Sequence, residues 1–516
     1  MQYARSKRTI HPQSFARNSH GAKQSSRLMI VLQIVVILST FVAIIFVEKI
    51  VRNDFMQLMN FPMEEYHNTP SQSQDTYRIP DGDFGGIPIY FMSSKKSPLV
   101  STVHCVADNF LPDSWFYRSC EFRNLCFDVK AQKFFITQSK YQRNMEKALA
   151  KGNFTNKHAS ISTSMINSGV QLKAMQYGYF ETTGKSRPEW FPTIQKQPEE
   201  GYYMLPPNVV WIPIRTNPTS ILNPGHLLWD YLFPIFNLMS IFGLDRNKVP
   251  LITDTNHRCF GYRGQKNGCY ATITRFLPLI GASPDAFKGM AGNLTFNYNS
   301  SYSSTICSSF AAAGIGYLND HGQNRHGNRH QDYENMRNAG RGSDFFRFRD
   351  YVLRQLGIVE QSSITEPYQI LLSVNSSRTV TRRQSFATQR EALQKAFGTS
   401  HVNIESLVLS ELSVKDQVDK MTKCSVFISV MGGAMAFATF LPKGSTVVIF
   451  YDDMEDWVTH KKTLKRIFPV KMDWDFFNNA AYLKVHWFPL KSMNTSYDIQ
   501  ALVSVIQNDL ENRKLQ

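Results

Sequence analysis

Three stretches of this 516-residue chain place chemically useful side chains at spacings that would let them act together. The first is Asn223-Pro-Gly-His-Leu-Leu-Trp-Asp230. Asparagine followed by proline is a strong helix start, because the amide side chain caps and the missing proline N–H costs nothing at the first helical position. His226 and Asp230 stand four residues apart, which sets an imidazole beside a carboxylate on one helix face. A carboxylate that orients an imidazole prepares it to accept a hydroxyl proton or to hold a sugar hydroxyl. On the same wheel Leu228, Tyr231, Leu232, Ile235, Met239 and Phe242 share one side, while His226, Asp230 and Asn237 fall opposite. Those polar residues read either as a site or as a solvated face.

The second stretch is Ser425 to Asp453, in which apolar, β-branched residues run into Met431-Gly432-Gly433-Ala434 and later into a second apolar segment. If Val430 ends a strand and Ala434 opens a helix, the backbone N–H groups of the turn point outward at the helix's positive end, an arrangement that favours an anion. Glycine lets backbone approach a phosphate with no Cβ between them, although a tight turn that needs only positive φ reads the same way. The third stretch follows another strand: Arg378, Arg382 and Arg383 could grip a diphosphate through paired guanidinium N–H groups or lie on a solvated loop. Asp452 and Asp453, just past the second apolar segment, suit ribose or sugar hydroxyls or a helix cap.

The elements that must position these groups are regular in the last third of the chain. DFFRFRDYVLRQLGI, QREALQKAFG, SVKDQVDKMTKC and GAMAFATF read as helices, and YQILLSV, HVNIESLV, SVFISV and STVVIFY as strands. Their alternation predicts a parallel sheet with helices on both faces, and such sheets bind ligands beyond the carboxyl ends of their strands.

At these residues the chain resembles glycosyltransferase family 61. The resemblance rests on the helix start at Asn223, His226, Asp230 and Pro234, on the arginine segment SSRTVTRRQSF, and on the run with Gln417, Gly432, Phe440, Leu441, Pro442, Gly444 and Val447. It covers about two thirds of the chain beyond residue 95, from Asn208 to Pro489. The chain departs from the family pattern in two places: Met431-Gly432-Gly433 replaces His-Gly-Ala, and Val374-Asn375 replaces an arginine straight after the strand. The resemblance implies a GT-B-like α/β fold, two Rossmann-like domains facing a cleft. It also implies inverting transfer of xylose or N-acetylglucosamine from a UDP-sugar to a glycan or glycoprotein acceptor, without a metal or other cofactor. His226 would then be the base with Asp230 its orienter. Asn223, Arg378, Arg382, Arg383, Met431, Gly432, Gly433, Ala434 and Asp452 would bind substrate.

Location is read from the other end of the chain. Leu28 to Val47 gives twenty residues without a charge, about one bilayer span. Six basic and no acidic residues precede it, so the positive-inside bias predicts a single-pass type II protein of the Golgi or ER membrane with its bulk in the lumen. The expected organisation is a cytoplasmic tail (1–27), a transmembrane helix (28–47), a stem (48–95), an acceptor-side domain (96–318), a connecting loop (319–344) and a nucleotide-sugar-binding domain (345–516). Sequons at Asn153, Asn293, Asn299, Asn375 and Asn494 fit a lumenal location. Seven cysteines are too few for a disulfide scaffold, but Cys259 with Cys269, and two of Cys105, Cys120 and Cys126, could pair.

The net charge is +16, of which the tail carries +6, so +10 is spread over the remaining 489 residues. With no RNA-binding signature this excludes a nucleic-acid partner and suits an anionic small molecule or acidic glycan. The rival readings are a metal-dependent GT-A transferase using Asp473 and Asp475, or Asp81 and Asp83, and a catalytically silent sugar-binding or scaffold protein. His321, His326 and His330 lie in an Asn- and Arg-rich stretch that reads as a solvated loop rather than a metal site.

Overall fold

A computed structural model describes residues 82–84, 87–96, 99–106, 119–137, 192–214, 221–254, 266–283, 287–289, 296–298, 303–314, 342–359, 366–376, 383–398, 401–451 and 472–514. The chain from Pro80 onward forms one compact unit.

In chain order the first half contributes β1 (Gly82–Phe84), β2 (Ile87–Ser93), β3 (Thr102–Val106), β4 (Ser119–Arg123), β5 (Leu125–Asp128), β6 (Lys133–Thr137), β7 (Thr193–Gln195), β8 (Gly201–Met204) and β9 (Val209–Ile214). Helix α1 follows as an α-turn Pro224–His226, a π-helical segment Leu227–Leu232 and an α-helix Phe233–Ile241. Then come β10 (Val249–Asp254), α2 (Lys266–Phe276), β11 (Phe287–Gly289), β12 (Phe296–Tyr298), β13 (Thr305–Ser308) and β14 (Ala311–Gly314). These strands build an eight-stranded sheet, β12-β1-β2-β8-β13-β5-β6-β7, and a six-stranded one, β11-β10-β9-β14-β4-β3.

Both sheets are mixed, which corrects the expected Rossmann-like first domain and with it the GT-B-like fold. Among the described residues parallel pairing is confined to β8 with β13, β6 with β7, β9 with β10 and β14, and β10 with β11. The reason lies in short connections, which can join only antiparallel neighbours or bend a strand onward. Between β5 and β6 the Asp128 carboxylate accepts from the backbone N–H groups of Lys130 and Ala131, and Gln132 takes φ 54, closing a tight antiparallel hairpin. Between β4 and β5 a single residue, Asn124 at φ 57, turns the chain from one sheet into the other. The links from β8 to β9 and from β13 to β14 make the same passage, so three adjacent strands cross from sheet to sheet. A disulfide, Cys126–Cys307, ties β5 to β13, and Cys105–Cys120 ties β3 to β4. Cys269 is also disulfide-bonded, whereas Cys259 lies outside the described residues.

The second half runs α3 (Gly342–Leu356), β15 (Tyr368–Ser373), α4 (Ala387–Phe397), β16 (Val402–Leu407), α5 (Val414–Thr422), β17 (Val426–Val430), a 3₁₀ helix Met435–Phe440, β18 (Thr446–Tyr451), α6 (Met472–Asn479), β19 (Lys484–Pro489) and α7 (Ser496–Lys514). Its sheet is wholly parallel, in the order β16-β15-β17-β18-β19. The β-branched, nearly uninterrupted apolar runs of β17 and β18 suit a sheet covered on both faces. One face packs Leu371, Phe427, Val447 and Ile449 into the large core that also holds α1, α3 and α6. The other buries Ile370, Leu372, Ile428 and Val448 with Leu393 of α4 and Leu502, Ile506 and Leu510 of α7.

Among the described residues no helix is long and apolar enough to cross a membrane, which corrects the expected single-pass type II membrane protein. The longest described helix, α7, has 19 residues but carries Asp498, Asp509, Glu511, Arg513 and Lys514, so it suits a half-wetted surface rather than lipid. The span read at Leu28–Val47 and the tail before it lie outside the described residues, as do the histidines of 319–330. β1 and β2, within the segment expected to be a stem, are strands of the eight-stranded sheet, with Ile89 fully buried.

Cys424, at the amino end of β17, is the buried free cysteine. Burial pushes its thiol up to about 12 from an ordinary value of 9.0. The neutral thiol is therefore the form that fits the fold, so its contribution is complete below the unfolded value and is lost as pH rises toward the folded one. Wild-type stability is expected to fall more steeply than that of Cys424→Ala between about pH 9 and 11, measured by urea denaturation. Parallel pH profiles of the two proteins would refute this.

Candidate functional site

In the parallel sheet the chain moves outward from β15 to β16, then returns across β15 to β17 and continues through β18 to β19. The direction therefore reverses between β15 and β17, and the crevice beyond the carboxyl ends of two such strands is where open α/β sheets bind ligands. The glycine turn follows β17 directly. Met431 is buried, and its N–H donates to the Phe450 carbonyl at 2.9 Å, extending the β17–β18 pairing by one residue. Gly432 takes φ +137, a conformation L side chains rarely adopt, and the position a Cβ would occupy has no atom of the described residues within 4 Å beyond its chain neighbours. A glycine is needed there for its backbone, and it faces open space.

Gly433 is required for a different reason. A Cβ there would meet the Asn223 Oδ1 at 2.9 Å and the Pro224 Cδ at 3.1 Å. The start of α1 thus rests on the glycine turn, and two stretches some two hundred residues apart in the chain meet at one point. Asn223 is the expected cap: its Oδ1 accepts from the Gly225 N–H at 3.0 Å. Ala434, half-buried, precedes the 3₁₀ helix Met435–Phe440, where a longer α-helix was expected. Pro442 ends that segment early, so the dipole behind the turn is that of a short helix.

The seat of α1 is built by large side chains. Trp229 donates from its indole nitrogen to the Thr439 hydroxyl at 3.2 Å and stacks on Phe476, ring centroids 4.5 Å apart. Tyr482 donates to the Thr439 carbonyl at 2.7 Å. Arg349 of α3, wholly buried, donates from Nε to the carbonyls of Leu441 at 2.7 Å and Phe440 at 3.2 Å, and pairs with Asp350 at 3.0 Å. A guanidinium at the carboxyl end of the 3₁₀ helix satisfies carbonyls that no intrahelical donor reaches. These groups were missed from the sequence. The signal for Arg349 was present, since it occupies the same stripe of α3 as Phe345 and Val352, where a charged residue needs a partner.

The other expected residues fall as follows. His226 is half-buried at the end of the first turn of α1. Asp230 lies in the π-helical segment, and its side chain is outside the described set. That segment changes the angular step between residues, so the α-helical wheel does not hold; Leu227, Trp229, Phe233, Phe236 and Asn237 are buried along with the predicted apolar face, of which Phe242 is only partly buried. Helix α1 is a core helix, hydrophobic around most of its circumference. Arg378, Arg382, Asp452 and Asp453 lie outside the described residues, while Arg383 is exposed shortly before α4. Gln417 is buried and donates to the Leu412 carbonyl at 3.0 Å, a role within its own helix start. Asp473 and Asp475 lie within helix α6. Among the described residues no group of three or more His, Cys, Asp or Glu stands close enough to hold a metal ion.

No model of a known protein family matches this chain, and no curated protein matches it.

The close approach at the glycine turn makes a measurable coupling. Gly433→Ala is expected to destabilise the protein by about 1–3 kcal/mol because the cap and the proline ring must move, and Asn223→Ala by about 1 kcal/mol through loss of the cap. Since a shorter side chain at 223 relieves the contact with the new Cβ, the double variant should lose less than the sum by at least about 0.5 kcal/mol in denaturant melts. Strict additivity would show that the two segments do not touch.

Proposed function

We propose that this protein is an inverting glycosyltransferase that moves a sugar, xylose or N-acetylglucosamine, from a UDP-sugar to a glycan or glycoprotein acceptor. The observation that carries the reading is the contact between the Gly433 turn and the Asn223–Pro224 helix start, at the carboxyl ends of the strands flanking the chain reversal. Support also comes from the resemblance of three stretches to glycosyltransferase family 61, two of which meet at this contact. The open space over Gly432 leaves room for a phosphate against bare backbone.

In this reading the acceptor hydroxyl oxygen attacks the anomeric carbon as the bond from that carbon to the diphosphate oxygen breaks. The leaving group departs with the electron pair as UDP. His226 takes the acceptor proton, and Asp230 orients the imidazole. The turn amides, with Arg378, Arg382 and Arg383, balance the charge that develops on the departing diphosphate. The residues in this scheme need no metal, because the positive charge comes from protein groups.

A second reading, a sugar-nucleotide-binding protein without turnover, is favoured by one observation. Position 431, where the family carries histidine, holds a methionine that is 2 % exposed and packs into the core, so no base stands at that point.

Transfer or hydrolysis of UDP-xylose and UDP-N-acetylglucosamine separates the two. Turnover in the wild type, cut at least about a hundredfold by His226→Ala with an unchanged melting temperature, is the expected result. UDP binding without turnover selects the second reading, and absence of any nucleotide binding rejects both.

A further inference from the structure

β15 ends on Ser373, which is 1 % exposed, and its hydroxyl has no hydrogen-bond partner among the described residues. A buried hydroxyl left unpaired is disfavoured, and where one persists it calls for an explanation such as an absent ligand. Its place in the fold supplies one. Leu371 pairs with Phe427 and Leu372 with Ile428, so continuing the register by one residue sets Ser373 level with Ser429, directly before Val430 and the glycine turn. Alternation along β15 puts Ser373 on the same face as Leu371, the face that Phe427 and Met431 share. Ser373 therefore ends one of the two strands that flank the chain reversal, and Gly432 follows the end of the other.

The nearest comparison is Ser406 of β16, whose hydroxyl is also buried and unpaired. Ser406 pairs with Leu372, which faces the second core with Ile428 and Val448, so it lies on the opposite face of the sheet and away from the turn. The two hydroxyls share the same lack of a partner, but only Ser373 lies on a strand that pairs with β17, which leads into the glycine turn.

We infer that Ser373 is a ligand contact of this site, its hydroxyl donating to a phosphate oxygen of a bound nucleoside diphosphate. The inference rests on the reading of the crevice as a nucleotide-sugar site and adds to it a residue that neither the arginine segment nor the glycine turn contains. The bond satisfies the hydroxyl and leaves the phosphate charge against bare amides on the opposite side. It also gives Ser373 a signature that a packing residue lacks. In the free protein Ser373→Ala removes an unpaired polar atom and should leave stability unchanged or raised, whereas in the complex it removes a hydrogen bond to a charged group.

Titration calorimetry of the full chain with UDP, inorganic pyrophosphate and uridine tests this, alongside thermal melts of the free proteins. Expected is a Kd for UDP and for pyrophosphate about tenfold weaker in Ser373→Ala, no change for uridine, a melting temperature at or above wild type, and no effect of Ser406→Ala on any ligand. Ser373→Cys, similar in volume but a poor donor, should weaken UDP in the same direction and serves if the alanine variant does not fold. Wild-type binding of UDP that Ser373→Ala leaves unchanged overturns the inference while the crevice reading stands. Weakening of UDP and uridine alike that spares pyrophosphate assigns the hydroxyl to ribose and also overturns it. A wild type that binds neither UDP nor pyrophosphate removes the site reading itself.

Discussion

The architecture turns on a steric constraint at one residue: Gly433 has no Cβ, and the first turn of α1 occupies the volume a Cβ would need. That approach lets a helix from the first half of the chain seat its capped end on a loop of the parallel sheet. Everything else around the crevice follows the seat. Trp229 reaches Thr439, Arg349 closes the far end of the 3₁₀ helix, and the aromatic rings of α1, α3 and α6 fill the space behind. Because these side chains are fully buried and close-packed, small shifts at the seat are transmitted rather than absorbed.

The two glycines therefore do separate jobs. Gly433 serves packing, and Gly432 serves backbone conformation beside open space. From sequence alone the pair was compatible with an anion cradle and with a bare tight turn. The structure supplies a structural need for both residues and still leaves one of them facing a void at the strand ends where parallel sheets bind ligands. Ser373, at the end of the neighbouring strand β15, is one of the buried hydroxyls left without a partner among the described residues.

Legibility differed sharply between the halves. β15 through β18 and helices α3 to α5 could be read in advance because each has a strong local pattern, β-branched runs or an apolar stripe, bounded by turn residues. The first half was misread as Rossmann-like because its strand order depends on partners far apart: β5 meets β13 across a disulfide spanning 181 residues, and β2 meets β8 rather than β3. The α1 wheel failed for a related reason. A π-helical segment is set by how the helix must fit its surroundings, and no residue pattern in Leu227–Leu232 announces it.

By itself the sequence determined what local interactions control: the Asn223 cap, the strand that ends at Val430, the glycines after it and the alternation of strand and helix in the last third. The tertiary structure alone decided which strands became neighbours, that the capped helix lands on the glycine turn, that the hydroxyl of Ser373 is buried without a partner among the described residues, and that the first half is a pair of mixed sheets. The physical reason is range. Caps, turns and periodicity are fixed within a few residues, whereas pairing and packing depend on contacts between segments whose separation along the chain carries no local mark.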